Sequence, residues 1–286
     1  MTDRSRLNGQ AAFVTGGGGG IGRAIAIRLA EAGADVAIFD IFPERAEEAA
    51  ARVRDAGRQA LPIAGDVMDS DALRAAIDAA ATTFGRLDIL ANNAGGVSAR
   101  PFLDQSERSM RKHIDINLMS MLVATQAAAK HMVAGGRGGA IINVASIEAS
   151  RAAPNFAVYA ACKAGMLSFT KSMAVEFAEH GIRVNCIAPD HTITPGNQGN
   201  RAGPVDPAAW KRRSDEEVDA MNRLIPLGRE GVDMECGDAA VFLASAMSAY
   251  ITGVLLPVDG GTWASSGWVR GRDHRWTLNE GLAFGA

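Results

Sequence analysis

Tyr159 and Lys163, in the stretch YAACK, stand four residues apart. On a helix that spacing puts both side chains on one face. A phenol beside an ammonium suits acid–base chemistry. Tyrosine alone titrates near pH 10, and a nearby cation favours the phenolate and lowers that value. Each unit of lowering corresponds to about 1.4 kcal/mol. Moving a hydride to or from a carbinol carbon requires a proton transfer at its oxygen. The group that transfers it works best when its pKa lies near the working pH. Ser146 offers a hydroxyl to the same oxygen, and Asn117 lies in the helix that precedes it. A Tyr-x-x-x-Lys pair arises often by chance, so its meaning depends on the elements that hold it.

Those elements alternate. AAFVT (11–15) reads as a strand, 21–33 as a helix ending on Gly33, and DVAIFD (35–40) as a strand. A helix over 43–57 has proline near its start and glycine at its end, the usual asymmetry. QALPIAGDV (59–67) reads as a third strand, 70–85 as a helix, and LDILANNAG (87–95) as a fourth strand leading into a loop. One long helix is expected around 106–134, then a strand at 139–146, a helix at 156–180 and a strand at 182–189. The strands are continuous apolar runs, which suits a parallel sheet covered on both faces. The expected fold is therefore α/β: a Rossmann-type, doubly wound parallel sheet of seven strands in three layers. Ser146 then falls at the carboxyl end of its strand, where open sheets bind ligands.

The rhythm breaks over 190–231, which is rich in proline, glycine and charge. Loops of that length in compact domains are usually functional. A short helix over about 206–223 is expected inside it, then a helix near 233–246 and a strand near 252–258. No second core and no internal repeat is visible, so residues 1–286 read as one domain, with a substrate loop and a C-terminal extension from about 262.

The run TGGGGGIG (15–22) lies between the first strand and the first helix. Backbone amides there can face a pyrophosphate at a helix N-terminus, and glycine allows the close approach. The run spells both G-x-G-x-x-G (Gly17, Gly19, Gly22) and G-x-x-x-G-x-G (Gly16, Gly20, Gly22). Asp40 ends the second strand about 20 residues on, where a carboxylate accepts from the ribose hydroxyls of a dinucleotide. It would repel a 2′-phosphate, and no Lys or Arg precedes Gly22 in the loop. Together these favour NAD over NADP.

Bulk properties narrow the function classes. The 286 residues are 48% hydrophobic and 21% charged, with a net charge of −3 and no basic patch of the kind nucleic-acid binders carry. Three scattered cysteines without a C-x-x-C suit a reducing compartment. The five histidines show no metal-ligand spacing. The N-terminus has no apolar signal region and no run is long enough to span a bilayer. The expected setting is the cytoplasm, with no membrane, nucleic-acid or metal partner.

Taken in order, TGGGGGIG, GDV (65–67), NNAG (92–95), Asn117, Ser146, YAACK, RVNCIAP (183–189) and VDGG (258–261) resemble the classical short-chain dehydrogenase/reductases, over residues 7 to about 263. The resemblance implies that Tyr159 is the acid/base and that Lys163 lowers its pKa and holds the nicotinamide ribose. It implies that Ser146 polarises the substrate and that Asn117 holds a water in a proton relay. It selects the register Gly16, Gly20 and Gly22, with Ile21 beside them, and leaves Gly17, Gly18 and Gly19 as spacers that tolerate small side chains. Asp66 and Val67 would line the adenine pocket, and Asn93 and Gly95 would flank the cofactor. Thr194 and the Thr192 amide would meet the nicotinamide. A homotetramer is implied as well.

Two departures stand out. Asp190 and His191 follow IAP where the family usually has glycine, and with Glu148 they are candidate substrate contacts. The chain also continues about 25 residues past VDGG, with Trp263, Trp268 and Trp276. This tail is expected to cross a subunit interface and help wall a neighbour's pocket.

The function expected is NAD-dependent interconversion of a small to medium secondary alcohol, cyclic ones included, and its ketone. A 3-oxoacyl-carrier-protein reductase is the alternative, weakened by Asp40 and by the acidic charge balance. An NAD-sensing scaffold on the same fold is the non-enzymatic alternative, and it has no need of all four of Asn117, Ser146, Tyr159 and Lys163.

Overall fold

A computed structural model describes residues 3–200 and 202–278. Its elements are β1 (Ala11–Thr15), α1 (Gly20–Glu31), β2 (Asp35–Asp40), α2 (Pro43–Asp55), β3 (Ala60–Ala64), α3 (Ser70–Phe84) and β4 (Ile89–Asn92). There follow α4 (Glu107–Ile114), α5 (Ser120–Gly135), β5 (Gly139–Val144), α6 (Ala157–Glu176), β6 (Ile182–Pro189), β7 (Thr192–Ile193) and α7 (Asp215–Leu224). Last come β8 (Gly231–Val232), α8 (Asp233–Ala244), β9 (Leu255–Val258), α9 (Thr262–Ser265), β10 (Val269–Arg270) and β11 (Trp276–Thr277).

Seven strands form one sheet in the order β3-β2-β1-β4-β5-β6-β9, and every pairing in it is parallel. This is the expected Rossmann-type α/β architecture. All five residues of β1 are buried, as a strand covered on both faces requires. On one side Leu29 of α1, Val53 of α2 and Leu243 of α8 pack on the sheet. On the other, Ile77 of α3, Val123 of α5 and Ala174 of α6 do so. Chain order reverses between β1 and β4, so their carboxyl ends open a crevice at that switch point.

Local chemistry sets the element ends. The Asp69 side chain caps α3 by accepting from the Asp71 and Ala72 amides, and Gly85 closes the helix at φ 68°. Ser214 and Glu217 form a reciprocal cap that starts α7. Three expected elements differ. The third strand stops at Ala64 instead of 67, which leaves Asp66 and Val67 in a loop. The helix expected over 206–223 is a single turn at Pro207–Ala209 and then α7. The unbroken helix expected over 106–134 is interrupted by a wide π turn at Asp115–Met119. Such turns insert one residue into the helical ladder and redirect a side chain, and they recur at functional sites.

Candidate active site

The glycine turn forms the floor of the first cleft. Gly16 and Gly20 have φ of 60° and 51°, in the left-handed region that glycine enters without strain. Gly17, Gly18 and Gly19 do not. A Cβ on Gly22 would lie 2.1 Å from the Gly16 carbonyl oxygen. The register Gly16, Gly20, Gly22 therefore matches the backbone, whereas Gly17, Gly19, Gly22 does not. The spacer reading of Gly17 and Gly18 is corrected: a Cβ on Gly17 would lie 2.9 Å from Ile38 Cγ2, and one on Gly18 2.7 Å from Arg45 Cβ and 2.9 Å from the Asp40 carboxylate. Only at Gly19, of the three, is the nearest atom as far as 3.4 Å.

Gly19 caps α1 without a side-chain acceptor, and no acidic side chain occupies the first turn. The first amides of α1 therefore remain available to an anion. They face a cleft of about 350 Å³ lined by Asp40, Arg45, Asp66, Val67, Asn93 and Gly95, among others. Asp40 is buried, and its oxygens accept from the Gly18 amide (2.9 Å) and the Phe42 amide (3.0 Å). A carboxylate has about four acceptor sites, so capacity remains for two hydroxyls. Asn93 braces the turn from beneath, with Nδ2 donating to the Thr15 and Gly16 carbonyls at 3.1 and 3.0 Å. Amides free to take a diphosphate, glycines that admit it and an acceptor placed for a ribose together fit a nicotinamide dinucleotide.

A second cleft of about 910 Å³ shares Ile21, Phe42, Gly95, Ile116, Thr194 and Gly196 with the first. Its lining includes Tyr159, Asp190, His191, Thr192, His113 and Lys112. Ser146, just past β5, accepts from the Glu148 amide at 3.2 Å, and its hydroxyl lies near enough to Tyr159 to pull the phenol's pKa down. Lys163 lies beneath Tyr159, 5.6 Å from its ring centroid. Its Nζ donates to the Val144 carbonyl at 2.7 Å. The π turn aims Asn117 at the same region. Its Nδ2 donates to the Gly96 and His113 carbonyls (both 2.9 Å), and its Oδ1 accepts from the Gly96 amide (3.1 Å). Gly95 fits between, because a Cβ there would lie 2.8 Å from Asn117 Oδ1 and 3.7 Å from Lys163 Nζ. Tyr159 thus lines the second cleft, with Lys163 behind its ring and Asn117 across Gly95 from the lysine.

Burial pushes the Tyr159 phenol above its ordinary value, the Ser146 hydroxyl pulls it back, and the charges of Glu148 and Asp190 raise it further. Burial brings Lys163 down to about 8, and its ammonium is directed to a carbonyl.

Asp190 is the hub of a charged cluster at the cleft. Its Oδ2 accepts from the Thr262 hydroxyl (2.8 Å) and lies 3.4 Å from Arg151 and 3.2 Å from His191 Nε2. Arg151 also pairs with Glu148 at 2.8 Å, while Glu148 Oε2 is buried without a partner. His191 takes φ 39°, an unusual backbone for histidine. Thr194 lines both clefts, and Thr192 is buried between β7 and β8. Sequence reasoning missed Arg45 and Arg151. The signal for Arg45 was a cation in the first turn of the helix that follows Asp40.

The tail, as far as Leu278, folds on its own chain. Arg223 of α7 donates to the Arg270 carbonyl (3.2 Å), Arg270 donates to the Pro226 carbonyl (3.3 Å), and its guanidinium stacks on Trp276. The three cysteines are free and buried. Among the described residues no group of His, Cys, Asp and Glu could hold a metal, and no helix is long and apolar enough to cross a membrane.

Comparison with known proteins agrees with this arrangement. A family model described as enoyl-(acyl carrier protein) reductase matches residues 16–262. The 2-dehydro-3-deoxy-D-gluconate 5-dehydrogenase of Escherichia coli K12 is 37% identical, over 89% of this chain and 96% of that protein. Carveol dehydrogenase from Mycobacterium avium, solved with NAD, superposes with a TM-score of 0.83 at 32% identity, over 91% of this chain and 99% of that one. Gluconate 5-dehydrogenase from Burkholderia cenocepacia J2315, solved with NADP and tartrate, gives a TM-score of 0.81 at 37% identity, over 92% and 98%.

Proposed function

The chain belongs to the classical short-chain dehydrogenase/reductases, and from that premise we propose that it interconverts a secondary alcohol and a ketone with NAD in preference to NADP. The observation that carries this reading is Tyr159, with Lys163 5.6 Å from its ring centroid, lining a cleft continuous with the glycine turn. Relatives named as gluconate and carveol dehydrogenases support an alcohol substrate, and NAD and NADP both occur among their structures.

Gly16, Gly20, Ile21 and Gly22 would hold the pyrophosphate, Asp40 the adenosine ribose, and Asp66 and Val67 the adenine. The bound dinucleotide supplies the hydride acceptor and, when oxidised, a positive ring charge. In alcohol oxidation the Tyr159 phenolate takes the hydroxyl proton, and the Ser146 hydroxyl holds the same oxygen. Lys163 and Asn117 lie behind Tyr159 as its path for protons to solvent. The preference for NAD rests on Asp40, which has spare acceptor sites and a charge that repels a 2′-phosphate. We assign the whole chain to one domain, a homotetramer and the cytoplasm.

The test is Tyr159→Phe, followed by NADH absorbance with a panel of secondary alcohols. Turnover should fall about 10²–10⁴-fold. Unchanged turnover would sink the mechanism and leave the NAD-binding scaffold standing. Assays with NAD and NADP side by side check the preference, and a clear lead for NADP would overturn the reading of Asp40.

A further inference from the structure

We propose that Arg45 is a positioning residue that latches the substrate loop over the adenosine end of the cofactor cleft, and that the cofactor's phosphates tighten the latch. The proposal rests on the reading that a dinucleotide occupies this cleft.

Arg45, in the first turn of α2, is 7% exposed. Its guanidinium stacks 5.0 Å over the Phe42 ring. Nε donates to the Gly203 carbonyl and Nη2 to the Asn200 carbonyl, the latter at 3.1 Å. Both acceptors belong to the substrate loop, more than 150 residues away. Nη1 lies 3.4 Å from where a Cβ on Gly19 would sit, so the charge projects over the phosphate turn. Among the described residues Arg45 makes no ion pair. The nearby Asp40 directs its oxygens to the Gly18 and Phe42 amides.

A buried cation held only by carbonyls is desolvated without a counter-charge, which weighs against the closed loop. A diphosphate at the N-terminus of α1 would share the cleft and supply that charge. Closing the loop on Arg45 then becomes more favourable with the cofactor bound. By reciprocity, the closed loop tightens the cofactor.

Hydrogen exchange of the loop tests this. The Asn200 amide donates to Pro195 (2.9 Å), Asp206 to Asn200 Oδ1 (3.0 Å) and Lys211 to Gln198 (3.0 Å), so their exchange reports closure. Saturating NADH should slow these amides about tenfold, the size of one charge-assisted hydrogen bond. In Arg45→Met, checked for NADH occupancy by fluorescence, the slowing should vanish while exchange without NADH stays unchanged. Arg45→Lys should recover part of it. Retained slowing in Arg45→Met overturns the latch. So does exchange that speeds up equally with and without NADH, because Arg45 is then only a structural brace. An unaltered protein that binds no NADH at all refutes instead the dinucleotide reading on which the proposal stands.

Discussion

At the scale of the residue, burial and neighbouring charge govern the two titrating groups. Tyr159 is raised by burial and further by Glu148 and Asp190, against the pull of Ser146. Removing the Asp190 charge in Asp190→Asn favours the phenolate and lowers this pKa. The rising limb of kcat/KM against pH for alcohol oxidation should therefore move to lower pH. A limb that stays in place or moves up refutes the charge coupling. Lys163 falls to about 8 from 10.5 because burial disfavours its charge. The unfolded chain then binds more protons between those values, so stability rises with pH through the window. Below about pH 8 the charged lysine destabilises the fold in full. Lys163→Met should thus be more stable than the parent at pH 7 by up to about 3 kcal/mol, with the gap closing toward pH 10.5. Urea unfolding at a series of pH values measures it.

At the scale of the element, the glycine turn and the π turn carry the site. Space around the turn is uneven: a Cβ at Gly18 strikes Arg45 and Asp40, one at Gly22 strikes the Gly16 carbonyl, and one at Gly19 meets nothing closer than 3.4 Å. Gly19→Ala should leave NADH affinity near that of the parent. Gly18→Ala and Gly22→Ala should weaken it at least about tenfold, or about 1.4 kcal/mol. Titration of NADH fluorescence decides, and equal affinities at Gly18 and Gly19 would refute the packing argument. The periodicity of 106–134 showed a long helix correctly in kind. It gave no sign of the π turn, because hydrophobic spacing is nearly blind to one inserted residue. The site of Asn117 was nevertheless legible from the family motifs.

At the scale of the whole molecule, the tail and α7 behave as one unit. The strand β10 docks on α7 through Arg223 and on the following loop through the Pro226 carbonyl, and β11 pairs with β10. Thr262 then ties the start of the tail to Asp190 at the cleft. Ending the chain at Ser266 removes the docked hairpin and frees α7. The KM for alcohol should rise while NADH affinity holds, because no residue of α7 or the hairpin lines the adenosine cleft. An unchanged KM separates the tail from the pocket. The half-exposed Trp263, Trp268 and Trp276 leave aromatic surface for a neighbouring subunit. Light scattering of the full and shortened chains tests whether four copies of 29.9 kDa assemble and whether the tail holds them together.

The order of elements and the parallel sheet were legible in the sequence, and its motifs named Asn117, Ser146, Tyr159 and Lys163 as candidates. Continuous apolar strands and helix-spaced pairs are local patterns, and local patterns need no folding to be read. Contacts between segments distant along the chain were not legible. Only the tertiary structure brought Arg45 against Gly18 and the substrate loop, joined Asp190 to Arg151 and Thr262, and laid the tail on its own α7. It also set the Tyr159 phenol above its ordinary value. That shift depends on how deeply the phenol is buried and on which charges face it, and a sequence motif specifies neither distance nor solvent access.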